Sequence, residues 1–266
     1  MSGFDYATIV GKDSLLWTWH VDNVLRNAVL PRDMWDFHAV VFRNESVKPE
    51  VTEEIISICE ANDIKYHMLD ESINTPFLYR LYRAWNLVQE VGERPLTLRS
   101  GSDQAWYNGS FKAILDAYNS TPHPCILQAQ TVESAVAAGT RHFKKDFGSW
   151  PEDFNEPAFN EFCEQIIRHK LYTIDEAMKE WGHPTTFSSS IRTPHNRTDG
   201  CSWFQSKELF KKFGPMPAME GRWTGDVIIH DRYERAGIQD YLVGNCITYH
   251  LFRGERRLGE YNDSDM

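Results

Sequence analysis

Asp226, His250, Arg253, Arg256 and Arg257 fall within one stretch, residues 225–257 (GDVIIHDRYERAGIQDYLVGNCITYHLFRGERR). The acid opens what reads as a helix, and Gly237 supplies a stop for it. An apolar, strand-like run follows, and the histidine then precedes a basic cluster. A carboxylate and an imidazole can hold a divalent cation, and arginines behind them can neutralise a phosphorylated ligand. Another acid stands far upstream in RSGSDQ, residues 99–104, where Asp103 follows a short apolar run.

Whether these groups can meet depends on the elements that carry them. Residues 6–10 and 37–42 are β-rich apolar runs, and the uninterrupted centre of FHAVVF fits a buried parallel strand. Residues 15–30 have helical spacing that ends at Pro31. A second helix starts at Pro49, carries Val51, Ile55, Ile56 and Cys59 on one face and stops near Asn62. Residues 64–69 read as a third strand, residues 76–91 as a helix ended by Gly92, and residues 95–98 as a fourth strand. Strand and helix in strict alternation predict an α/β domain with an open, mostly parallel sheet and right-handed crossovers.

Ligands of such sheets bind beyond the carboxyl ends of the strands. Here those ends are the polar segments 10–13, 43–46, 70–71 and 99–104. No GxGxxG follows the first strand and no P-loop lysine is present, so both of those phosphate-binding signals are missing. The second half is less regular. Residues 105–118 predict a helix, residues 126–132 a strand, residues 142–157 an aromatic- and proline-rich surface loop, residues 159–181 helices and residues 183–200 a polar loop.

The chain has 266 residues and a formal net charge of −10. That length can bury a large core, as one domain or as two smaller lobes. The acidic balance speaks against nucleic acid as a partner but permits a local basic pocket for a small phosphorylated ligand. No apolar run approaches the roughly 20 residues of a membrane-spanning helix, and the N-terminus has no signal-peptide pattern. The five cysteines are scattered without a CxxC pair, which predicts a reduced, cytoplasmic protein.

Several segments, taken in order, resemble the GT-A glycosyltransferases of the inverting, family-2-like group. RAWNLVQEVGERPLTL (residues 83–98) is similar to the family helix that carries an Ala-x-Asn and leads into the metal-motif strand. SGSDQ stands in the place of the Asp-x-Asp, GCSWFQSKELFKKFGP (residues 200–215) resembles the strand and helix that follow, and GDVIIHDRYERAG resembles the helix that bears the base. The resemblance covers most of residues 4–257. It implies a GT-A (Rossmann-like) fold in one domain, with residues 1–120 binding a nucleotide-sugar donor and residues 121–266 forming the acceptor and catalytic half.

The same resemblance implies a nucleotide diphosphate sugar as donor, a carbohydrate acceptor, and Mn2+ or Mg2+ held by Asp103 and His250. It makes Asp226 the general base, with inversion at the anomeric carbon. Thr8, Val10, Gly11 and Arg43 are implied near the nucleotide base, and Arg83, Asn86, Ser102 and Arg253 complete the donor contacts. The acceptor side would be built by residues 139–200, with the tryptophans Trp150, Trp203 and Trp223 as possible sugar platforms. Three positions depart from the family pattern. Gly101 replaces the first acid of the metal motif, Arg43 stands where an aspartate commonly reads the base, and Gly225 replaces the glutamate before Asp226.

The residues themselves leave plainer roles open. Asp103 is placed to cap a helix starting at Ala105, Asp226 to cap its own helix, and His250 to be a satisfied surface or core histidine. Two other functions stay open on sequence alone: a catalytically inactive nucleotide-sugar or carbohydrate-binding module, and a nucleotidyltransferase. The second would need a glycine-rich basic loop after the first strand, where GKDSLLW has one Gly and one Lys.

Overall fold

The computed structural model describes residues 3–72, 74–133, 143–173, 176–177, 202–220 and 223–251. The first half alternates strand and helix as its spacing predicts. Strands β1 (Phe4–Val10), β2 (Trp35–Arg43), β3 (Lys65–Asp70) and β4 (Leu96–Gly101) are linked by helices α1 (Ser14–Asn27), α2 (Pro49–Ala61) and α3 (Phe77–Val91). Asp13 starts α1 by accepting from the backbone N–H groups of Leu15 and Leu16, both at 3.0 Å. Pro49 occupies the first turn of α2, where its missing N–H costs nothing.

Strand β5 (Gln104–Trp106), helix α4 (Ser110–Ser120) and strands β6 (Cys125–Glu133) and β7 (Phe143–Lys144) come next. They are followed by α5 (Glu156–Ile166), β8 (Leu171–Thr173), β9 (Trp203–Ser206), α6 (Lys207–Phe213), the short strands β10 (Met219–Glu220) and β11 (Trp223–Thr224), α7 (Gly225–Arg235) and β12 (Gln239–His250). Ten strands make one sheet in the order β3-β2-β1-β4-β9-β6-β12-β5, with β7 beside β6 and β8 beside β12. The first four are mutually parallel, β9 runs antiparallel between β4 and β6, and β12 is parallel to β6. Strands β1, β2, β3, β4, β6 and β12 therefore point the same way. Their last residues, Val10, Arg43, Asp70, Gly101, Glu133 and His250, lie along one edge.

Both faces of the central strands are covered, which is why their sequences are mostly apolar, and two buried exceptions, Asp5 and His38, bond to each other. Tyr6, Val10, Trp35, Phe37 and Leu98 pack with Trp17 and Val21 of α1 and Phe111 of α4. Ala7, Ile9, Val40 and Phe42 face the other way, into a cluster with Tyr82, Trp85 and Val88 of α3 and Ile229 and Tyr233 of α7.

Three expectations change. Residues 104–106 are a strand antiparallel to β12, pairing Gln104 with His250 and Trp106 with Thr248. The helix expected from Ala105 starts only at Ser110, after Gly109 takes a left-handed conformation (φ 81°). Local spacing suited a helix; sheet pairing and two side chains of α1 override it. The expected surface loop at 142–157 is also tied down, because Phe147 is buried and Phe154 and Phe159 pack on Tyr249. Thirdly, the helices expected over 159–181 reduce, in the described part, to α5 followed by β8 and a short helical turn at 176–177. The polar loop expected at 183–200, nearly half of the 139–200 acceptor side, and Arg253, Arg256 and Arg257 lie outside the described residues.

Candidate active site

Asp103 and His250 are 147 residues apart in sequence, and His250 Nε2 stands 3.0 Å from Asp103 Oδ2. The sheet accounts for this. Asp103 sits in the turn between β4 and β5, and His250 is the last residue of β12, hydrogen-bonded partner strand of β5. The backbone N–H of Leu251 donates to Asp103 O at 2.8 Å and fixes the two strand ends together. With a strand following Asp103, its role as cap of a helix at Ala105 is excluded.

Gly101 explains one departure from the family pattern. A Cβ at 101 would collide with the Asp103 carboxylate, so the missing side chain lets that carboxylate fold back over the turn. The pair can serve as two neighbouring ligands of a hard cation: at bonds of about 2.1 Å, adjacent octahedral ligands stand about 3 Å apart. Among the described residues no group of three or more His, Cys, Asp or Glu side chains suits a metal. Further ligands would have to come from outside these side chains, as with Mg2+ sites that keep several waters.

Beneath this pair lies a buried polar chain that holds residues 104–106 in place. His20 of α1 contacts Gln104 O through Nδ1 at 2.8 Å and Tyr6 Oη through Nε2 at 3.0 Å. A carbonyl can only accept, so Nδ1 carries the proton and Nε2 accepts from the tyrosine. Burial pushes the His20 pKa down to about 4, which keeps the ring neutral and this pattern intact. Tyr6 Oη in turn accepts from Trp106 Nε1 at 2.9 Å, and Asn23 Oδ1 accepts from Trp106 N at 2.7 Å.

Asp226 lies in the first turn of α7 and is half-buried. The Tyr82 hydroxyl of α3 donates to its Oδ1 at 2.9 Å. No hydrogen bond reaches Oδ2 from the described residues, which leaves that oxygen able to take a proton. Gly225 accounts for a second departure: a Cβ there would run into the backbone carbonyl of Pro217. The 216–217 segment is itself clamped by Asn86 of α3, whose Nδ2 donates to Met216 O (2.8 Å) while its Oδ1 accepts from Met216 N (2.9 Å). A backbone carbonyl held in this way cannot yield cheaply. We expect Gly225→Ala to destabilise the protein by about 1–3 kcal/mol, read as a fall in denaturation midpoint at unchanged m-value; an unchanged midpoint would mean that the segment moves freely.

The other residues expected to contact a donor have varied surroundings. Thr8 and Val10 are fully buried, with Thr8 Oγ1 3.3 Å from His20 Nε2, so their side chains belong to the core below the edge. Gly11 opens the loop after β1. Arg43 and Asp70, the last residues of neighbouring strands, form an exposed fork with Nε–Oδ1 at 2.5 Å and Nη2–Oδ2 at 2.8 Å. Arg83 pairs with Glu71, the residue after β3. Ser102 is buried in the β4–β5 turn. Asn86 uses both ends of its amide on Met216, a structural role. Trp203 is core, and Trp150 lies in the loop before α5. Trp223 is in β11, with its side chain outside the description.

Sequence reasoning missed Tyr82, Met216 and above all Arg99. Arg99 is buried in β4, flat against Trp203 (3.4 Å to the ring centroid) and near Trp85 (5.0 Å). Its Nη2 donates to Gln205 Oε1 at 3.0 Å and its Nη1 to Met216 Sδ at 3.4 Å. Burial pulls its pKa down to about 9, against the opposing pull of Tyr233, Asp226 and Tyr82, so it remains a cation at neutral pH. Beside it, burial and then the Arg99 charge hold His230 well below its usual value, hence neutral. The available signal was an arginine inside an otherwise uncharged strand, LTLRS, because a buried charge is seldom kept without a use.

By sequence, no protein-family model and no curated protein matches the chain. By structure, it resembles TarS of S. aureus (residues 1–349) with a TM-score of 0.59 and 12% identity, over 93% of this chain and 60% of that one. It also resembles the mannosyltransferase PcManGT from Pyrobaculum calidifontis in complex with GDP-Man and Mn2+. There the TM-score is 0.57 at 12% identity, over 96% of this chain and 59% of the other. GalNAc-T7 with UDP, GalNAc and Mn2+ gives 0.58 at 10% identity, over 94% of this chain and 44% of that one. The fold is therefore that of the GT-A glycosyltransferases, an α/β architecture with a mixed, mostly parallel sheet. The chain spans about 60% or less of the length of these proteins. Among the described residues no helix is long and apolar enough to cross a membrane.

Proposed function

We propose that this protein is a glycosyltransferase that moves a sugar from a nucleotide diphosphate sugar to an acceptor hydroxyl, with inversion. The observation that carries the proposal is the contact of Asp103 with His250 at the ligand-binding edge of a GT-A sheet. A divalent cation, when bound, supplies the positive charge that a departing diphosphate needs. Asp103 and His250 are the residues that would hold it. Asp226 acts as general base: Tyr82 fixes Oδ1, and Oδ2 takes the proton of the acceptor hydroxyl as that oxygen attacks the anomeric carbon. The neighbours bound to GDP-Man and Mn2+ and to UDP, GalNAc and Mn2+ support a nucleotide sugar and a manganese ion as ligands here. One domain, residues 1–266, would then carry the donor site in residues 1–120 and the acceptor site in residues 121–266.

The test is a thermal-shift panel of UDP, GDP, TDP and CDP sugars, each with and without Mn2+. A ligand present at a hundred times its Kd stabilises the native state by about 2.7 kcal/mol, so one member of the panel should raise Tm by about 5 °C or more, with Mn2+ enlarging the effect. Absence of a shift with every nucleotide sinks the proposal. Binding without any release of nucleoside diphosphate would instead favour an inactive binding module.

A further inference from the structure

Asp226 is held from two layers. The nearer is Tyr82, itself 2% exposed and packed beside Trp85, with its hydroxyl 2.9 Å from Asp226 Oδ1. The deeper is Arg99, whose guanidinium is sealed between Trp203 and Trp85 and tied to β9 through Gln205 and to the 216–217 segment through Met216. That segment packs its Pro217 carbonyl against Gly225, the residue before Asp226. Arg99 Nε has no hydrogen-bond partner. A guanidinium buried to 2% exposure without a hydrogen-bonded carboxylate is held instead by Gln205, Met216 and the faces of Trp203 and Trp85, so it fixes β9 and the 216–217 segment to β4.

We propose that Tyr82 and Arg99 are positioning residues for the base. Tyr82 orients the Asp226 carboxylate by occupying one oxygen, and Arg99 anchors the 216–217 segment on which the start of α7, and with it Asp226, is seated. The inference rests on Asp226 being the base. It does not concern how the donor is held, since neither Tyr82 nor Arg99 makes a side-chain hydrogen bond to Asp103 or His250 in the contacts described above. Arg99 thus links β4, which leads into Asp103, with the start of α7, which carries Asp226.

The experiment uses the full chain and the nucleotide sugar that responds best in the thermal-shift panel. Its readout is the rate of nucleoside diphosphate release, with water as acceptor. Tyr82→Phe keeps the ring and removes the hydroxyl. We expect kcat to fall about 10- to 100-fold, the usual range for a hydrogen bond to a charged group, while KM for the donor and the donor-induced shift in Tm stay within about twofold of wild type. Arg99→Met should lower kcat at least as much, and Arg99→Lys, which keeps the charge, should recover part of the loss. A Tyr82→Phe kcat within about twofold of wild type overturns the proposal. So does a loss carried by KM, or an Arg99→Lys variant no better than Arg99→Met. Should Arg99→Met fail to fold, Tyr82→Phe alone decides. An Asp226→Asn control keeps the two ideas apart. If that variant still turns over, the base assignment has failed; if it is dead while Tyr82→Phe is normal, only the positioning role has failed.

Discussion

Replacement of His250 by alanine, or of Asp103 by asparagine, is expected to cut donor turnover by about 10³-fold and to abolish its dependence on Mn2+. Charge neutralisation at a departing diphosphate contributes several kcal/mol to the barrier, and roughly 4 kcal/mol corresponds to that factor. A rival account gives the same two residues a purely structural part. Their side chains are 14% and 13% exposed and 3.0 Å apart, close enough to be a simple ion pair when the histidine is protonated. The accounts separate in a thermal-shift titration with Mn2+ and nucleoside diphosphate. If the pair is structural, each variant loses Tm to the same extent with and without the metal, and the metal-induced increment survives. If it holds the cation, the metal-free Tm changes by only a few degrees while the increment disappears. Retention of the increment in both variants would remove Asp103 and His250 from the metal site.

The frame that brings this pair together was readable from sequence. Apolar runs such as FHAVVF and helices bounded by Pro49 and Gly92 mark strands and crossovers through local patterning, and local patterning is enough for parallel α/β units. Asp103 and His250 could be matched through the order of segments, since 147 residues separate them and no spacing rule spans that gap. The short strand Gln104–Trp106 was not readable. Its three residues take their conformation from β12 on one side and from His20 and Asn23 on the other, and none of those contacts is local. Asn86 was legible as a polar residue on α3 but not as the clamp on Met216, because its partner lies 130 residues away. The glycines at 101 and 225 looked like losses from a motif. In three dimensions each is a point of close approach, to the Asp103 carboxylate and to the Pro217 carbonyl.

The sharpest expectation concerns Asp226→Asn. Asparagine has the shape of aspartate, and its Oδ1 can still accept the Tyr82 hydroxyl, so packing around α7 should be preserved. At the other position an amide N–H2 replaces an oxygen lone pair, and a donor there cannot take a proton from the attacking hydroxyl. Turnover should fall by about 10²- to 10⁴-fold, the range for a general base, with the nucleotide-sugar thermal shift unchanged. The competing role is that of a first-turn carboxylate that steadies the N-terminus of α7. It predicts a different pair of results: a loss of about 0.3–1 kcal/mol in stability and transfer that survives. Measuring Tm, donor shift and nucleoside diphosphate release on the one variant therefore assigns the residue. The positioning role of Tyr82 gives this test a further edge. Once the carboxylate is gone there is no base left to orient, so adding Tyr82→Phe to Asp226→Asn should cost almost nothing more in turnover, whereas independent roles would multiply their losses.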